Sequence, residues 1–159
     1  VGDTVVPLAD LEPFRISGPD QDPTPLPYLQ RMGPSHFDIT LEAWLETADG
    51  ALNLLTRSNH NHLYWDIRQQ LVHHTSNGCN VRKGDILASG TISGPERDSW
   101  GCMLELSWNG AEPMTLVDGT RRTFIEDGDS ILLKGWAGEG HHRVSLGEIR
   151  NPVVPAPKA

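Results

Sequence analysis

Two short stretches hold the side chains best suited to chemistry. In GDILASGTISGPE, residues 84–96, the hydroxyls of Ser89, Thr91 and Ser93 are gathered with Gly90 and Gly94 directly behind an apolar run. In CMLELSW, residues 102–108, one carboxylate, Glu105, stands among Met103, Leu104 and Leu106. Taken as a strand, the second stretch puts Cys102, Leu104, Leu106 and Trp108 on one face and Met103, Glu105 and Ser107 on the other. A carboxylate between apolar neighbours is either solvated or aimed into a cleft, where it could orient or relay a proton. Thr91 is similarly open: its hydroxyl could meet a substrate carboxylate or only a neighbouring backbone group.

The other polar clusters are weaker. His60 and His62 are two apart, and His73 and His74 are adjacent. Metal ligands on one helix face want a spacing of three or four. Capping and surface roles suit these histidines better, and His141-His142 lies in a Gly-rich turn. SGTISGPE lacks the Gly-x-Ser-x-Gly spacing of a nucleophile elbow. It leads into Pro95 rather than a helix with a Lys, which a phosphate cradle would want. No metal ligand set is read from the chain.

The elements that must position these residues are mostly strands. Phe37, Ile39, Leu41, Ala43 and Leu45 alternate with mostly polar residues, the period of a half-buried strand. Asp49-Gly50 then predicts a two-residue hairpin turn into ALNLLTR. DILASGTI and CMLELSW read as further strands, with Asn109-Gly110 as a second hairpin turn. TRRTFIEDGDSILLKGW and HRVSLGEI complete the series, and the Pro-rich tail frays or packs as an edge. One main helix is expected near 60–76, capped by Ser58 or Asn59 and ended by Asn77-Gly78. Its buried face would be Leu63, Tyr64, Ile67, Leu71 and His74. Residues 1–35, with SGPDQDPTPLPYLQ, read as an extended Pro-rich arm, and residues 36–155 as a β-rich core.

Composition narrows the function. The 159 residues suit one domain or a large piece of one. Sixteen Gly and twelve Pro point to many turns and short strands. The formal charge of −8 with no basic block argues against nucleic acid and anionic membrane surfaces. No apolar run approaches the ~20 residues that span a bilayer. Cys79 and Cys102 fit no metal or redox spacing, which suggests free thiols in a cytoplasmic protein. The first residue is Val rather than Met, so the chain is expected to be a processed product or a piece of something longer.

In series, QDPTPLPYL, HLYWDIRQQLVHHTSNGCNVRKGDILASGTISGPE, GCMLELSW and RRTFIEDGDSILLKGW resemble the closing portion of the fumarylacetoacetase family, hydrolases that end tyrosine and phenylalanine breakdown. Each motif alone is weak. Their order and compatible gaps, from Val5 to about Pro155, make the resemblance specific.

The resemblance implies a mainly β, mixed β-sandwich roll, working as a homodimer. It implies hydrolysis of a carbon–carbon bond in a β-diketo acid, 4-fumarylacetoacetate, to fumarate and acetoacetate. In that chemistry a His is the general base on water and a Glu orients it. A divalent cation, Mg or Ca, neutralises the leaving carbanion. Carried over by position, Thr91 falls on the family's substrate-contacting threonine and Glu105 on the glutamate that orients the base. The base His and the cation ligands have no matching position here. The upstream catalytic half and N-terminal domain are therefore expected to be absent, and the isolated chain inactive. His60-Asn61 and His142 depart from the family's usual residues. Two alternatives stay open: another enzyme of the superfamily (an acylpyruvate hydrolase, hydratase or decarboxylase), or a non-catalytic β-rich module that binds a partner.

Overall fold

The structure, a computed structural model, describes residues 2–157. The fold is mainly β, as expected. The clean alternation from Phe37 becomes β2 (His36–Phe37) and β3 (Ile39–Glu46). Strand β3 pairs antiparallel with β4 (Leu52–Asn59) and β7 (Ser130–Ala137), and β8 (Val144–Pro152) closes the far edge. The sheet order is β4-β3-β7-β8. Among the described residues there are also two small antiparallel pairs: β1 (Arg15–Ile16) with β2, and β5 (Met114–Thr115) with β6 (Arg121–Arg122).

The hairpin turns at Asp49-Gly50 as expected, but over three residues, Ala48, Asp49 and Gly50, between Thr47 and Ala51, rather than two. Gly50 takes φ +90°, a conformation that costs glycine little. Thr47 N–H donates to Ala51 O at 3.0 Å, and the Asp49 carboxylate accepts from the Thr47 hydroxyl at 2.5 Å.

One core forms where the N-terminal segment crosses the sheet. Leu11, from the helical turn α1 (Leu8–Leu11), packs with Phe37, Ile39 and Ala137. Phe14, Leu41, Val144 and Leu146 flank them. Burying each large side chain there contributes about 1.5–3 kcal/mol. The first 35 residues thus include α1, a 3₁₀ turn at Glu12–Phe14 and strand β1.

His36, unanticipated in the sequence, is fully buried beside this core. Its Nε2 lies 2.7 Å from Leu63 O, an acceptor, so Nε2 carries the proton. Nδ1 then accepts from the Ser35 hydroxyl at 3.2 Å and Arg31 Nη1 at 3.4 Å. Burial holds this ring below its ordinary pKa, against the Leu63 hydrogen bond. Gly18 packs directly on this ring: a Cβ there would lie 2.0 Å from Nδ1.

The main helix is shorter than expected. Asn59 caps only a 3₁₀ turn, His60–His62, accepting from Asn61 N–H at 2.9 Å. The α-helix proper, α2 (Ile67–Thr75), starts at Asp66. Asp66 Oδ1 accepts from the N–H groups of Arg68 and Gln69, and Gln69 Oε1 accepts from Asp66 N–H. That reciprocal capping box satisfies donors the first turn leaves open. The buried face also differs. Gln69 is the buried residue of α2, while Tyr64, Ile67, Leu71 and His74 are exposed. The amide of Gln69 binds Leu29 O at 2.6 Å and Gln21 Oε1 at 2.9 Å, so polar pairing fixes the helix against the arm.

Strand β4 is what positions the candidate site. Its register against β3 shifts between Ala43 and Trp44, leaving Leu55 unpaired as a bulge. The extra residue resets the alternation, so Asn53, Thr56 and Ser58 are all buried. Each then holds an incoming segment. Ser58 donates to Ile92 O at 2.9 Å, Thr56 donates to Asp98 O at 3.0 Å, and Asn53 Oδ1 accepts from Val117 N–H at 2.8 Å.

Candidate functional site

The segment around Glu105 is not a strand. Met103–Leu106 is a short helical turn, α3, begun at Cys102. The alternating faces drawn from CMLELSW therefore do not apply. An apolar run of this length fits a strand and a buried helical turn equally well. Nor is DILASGTI a strand: residues 85–94 carry no regular structure, and they follow the surface held by Ser58.

The end of α3 is defined by its hydrogen bonds. Asn109 N–H donates to Leu104 O at 2.8 Å and Trp108 N–H to Glu105 O at 3.1 Å. These are the paired bonds of a Schellman motif. The position that usually holds glycine is Trp108, at φ +46°, followed by Asn109 at φ +54°. Left-handed backbone at a bulky residue costs about 1–2 kcal/mol. Asn109-Gly110, expected as a hairpin turn, is the exit from this motif. Arg97 braces it: Nη2 donates to Leu106 O at 2.7 Å, Nη1 pairs with Glu112 at 2.9 Å, and the guanidinium lies 5.8 Å from the Trp100 ring centroid.

Trp100, Leu104, Trp108 and Asn109 form a mostly apolar cleft of about 400 Å³, and Glu105 is the acid in its wall. The two indoles meet edge to face at 6.0 Å. Trp108 and Leu104 stay more than half exposed along the rim, at 59% and 55%.

Glu105 is tightly held. The Ser93 hydroxyl donates toward both carboxylate oxygens, 2.7 Å to Oε2 and 3.0 Å to Oε1. Oε2 also accepts from Gly101 N–H at 3.1 Å and the Cys102 thiol at 3.5 Å. The Ser93 hydrogen bond, helped by Cys102 and Gly101, holds the Glu105 carboxyl below its ordinary pKa despite partial burial. Glu105 is therefore an anion at neutral pH.

Thr91 is exposed and does not line the cleft, yet it borders the same junction. Its methyl lies where a Cβ on Gly101 would fall, 2.4 Å from that point. Thr91 and Glu105 are thus joined through Gly101. Ser93 belongs to the small-residue cluster that drew attention in the sequence, but nothing in its spacing signalled a bond to Glu105. Trp100 and Trp108 as cleft walls were likewise missed.

Residues 1–154 match the family described as "Fumarylacetoacetate (FAA) hydrolase C-terminal". The chain belongs to this family. Similar proteins include the fumarylacetoacetases of Arabidopsis thaliana, 48% identical over 155 residues, and Homo sapiens, 46% over 154. Each alignment covers 96% of this chain and 36% of the relative. The Dictyostelium discoideum fumarylacetoacetase is 42% identical, covering 97% and 37%. The chain spans about a third of the length of these relatives.

The divalent cation implied by the family resemblance does not fit the residues present. Among the described residues no group of three or more His, Cys, Asp or Glu side chains could hold a metal ion. Glu105, the acid at the site, faces donors rather than other carboxylates. Cys79 and Cys102 are free thiols, and no helix among the described residues is long and apolar enough to cross a membrane.

Proposed function

We propose that this chain forms the C-terminal part of a fumarylacetoacetase active centre. The reaction is hydrolysis of the carbon–carbon bond of 4-fumarylacetoacetate to fumarate and acetoacetate, in tyrosine and phenylalanine catabolism. Glu105 is the positioning carboxylate. It accepts one N–H of a general-base His contributed from outside this chain. That contact leaves the other ring nitrogen free to take a proton from water, and it stabilises the imidazolium that results. Thr91 offers its hydroxyl to a substrate carboxylate. The cation, Mg or Ca, takes its ligands from elsewhere, and no step assigned to this chain runs through it. The working protein is a cytoplasmic homodimer, with no nucleic-acid or membrane partner.

One observation carries the reading: a carboxylate held anionic by three donors, in the wall of an apolar cleft, within a chain of this family. A merely solvated glutamate, which a non-catalytic module would tolerate, has no need of such a grip.

The test is an assay of diketone loss with fumarylacetoacetate and Mg²⁺. The chain alone is expected to give no turnover. Joined to the preceding portion of the plant relative, it is expected to restore hydrolysis. Turnover by the chain alone, or a folded but inactive chimera, would count against the proposal.

A further inference from the structure

The geometry around Glu105 points to a further functional residue, Ser93, and to a division of labour between the two oxygens of the carboxylate. Gly101 N–H donates to Ser93 Oγ at 3.1 Å. A hydroxyl has one proton, and with that backbone donor on its lone pair the proton is directed at the carboxylate. Both Glu105 oxygens lie within reach of it, at 2.7 and 3.0 Å.

The two oxygens are not equivalent. Oε2 has three neighbouring donors: Ser93, Gly101 N–H and the Cys102 thiol. Among the described residues, Oε1 has only the longer branch of the Ser93 bond. A carboxylate oxygen offers about two lone-pair sites. Oε2 is therefore saturated, and Oε1 keeps room for a further donor.

We infer that Ser93 is the positioning residue of this site, anchoring Glu105 through Oε2 and leaving Oε1 as the oxygen that receives the N–H of an incoming base. Gly101 completes the device by donating to both Ser93 and Glu105, so hydroxyl and carboxylate are registered to one amide. Charge-assisted bonds of this kind are roughly twice as strong as neutral ones, which suits them to fixing a rotamer. The second half of the inference rests on the functional reading of Glu105, and the first half does not.

The experiment follows the Glu105 side-chain carboxyl of the full chain by ¹³C NMR through a pH titration. In Ser93→Ala the midpoint is expected to move up toward the ordinary carboxylate value. In Ser93→Thr, which keeps the hydroxyl, it is expected to stay near that of the unaltered chain. Ser93→Cys, with a weaker donor of similar size, moves it in the same direction as Ser93→Ala and serves if the alanine variant does not fold. In the chimera with the plant relative, Ser93→Ala lowers kcat about tenfold with KM unchanged. An unmoved Glu105 titration in a folded Ser93→Ala or Ser93→Cys chain would overturn the inference, whatever the turnover. A moved titration in a chimera that works equally well as Glu105→Gln would leave the anchor standing and remove the functional reading instead.

Discussion

Thr91 and Glu105 both meet the backbone of one glycine, Gly101. The Thr91 methyl fills the space a Gly101 side chain would need, and Gly101 N–H donates to Glu105 at 3.1 Å. The pair that the family resemblance singles out is joined through one backbone unit, although Thr91 stays outside the cleft that Glu105 lines.

That junction predicts an intolerant position. A Cβ on Gly101 would lie 2.4 Å from Thr91 Cγ2 and 2.8 Å from Ile92 O. Ile92 O is backbone held by Ser58, so it cannot swing away as a flexible side chain could. Gly101→Ala is expected to cost about 1–3 kcal/mol, the usual range for overpacking. Urea unfolding measures this. A midpoint equal to that of the unaltered chain would show that the loop relaxes freely.

The capping box predicts a second cost. Asp66→Ala removes the acceptor for two N–H groups at the start of α2 and is expected to destabilise by about 1 kcal/mol. Asp66→Asn keeps an acceptor and should cost less. Amide exchange at Arg68 and Gln69 checks the mechanism, since the effect should begin in the first turn. Equal protection in the alanine variant would contradict it.

How much of this could be read in advance depended on periodicity. Strand β3 and its Asp49-Gly50 turn were legible because period two and a turn dipeptide agree locally. The helix start was misplaced because Ser58 and Asn59 look like caps, while the true signal, Asp66 with Gln69 three residues on, lay inside the assumed helix. The faces of α2 were misassigned because the buried contact is a glutamine amide, which a hydrophobic pattern does not mark. CMLELSW reads as a strand but forms a helical turn, since an apolar run this short suits either and the hydrogen bonds of Trp108 and Asn109 decide it. The bond from Ser93 to Glu105 depends on how Ser58 seats the loop, a tertiary fact with no local trace.

His36 predicts an acid-sensitive fold. Its ring is neutral and buried, with Arg31 3.4 Å from Nδ1, Asp66 and Arg68 nearby, and its pKa held below the ordinary 6.5. His60 is lowered by burial too. A depressed histidine is protonated in the unfolded chain before the folded one. Stability is therefore full above pH 6.5 and declines as pH falls from 6.5 toward the folded value. The slope approaches about 1.4 kcal/mol per pH unit for each such group. Urea midpoints between pH 7.5 and 5 test this, and His36→Gln should flatten part of the decline. A midpoint independent of pH in the unaltered chain would refute it.

The most direct measurement is turnover of fumarylacetoacetate by the chimera with Glu105→Gln, which keeps the shape of the side chain and removes its charge. The account predicts a fall in kcat of about 10³-fold or more with little change in KM, as expected when a carboxylate that orients a base is neutralised. A folded Glu105→Gln chimera with undiminished kcat would contradict it.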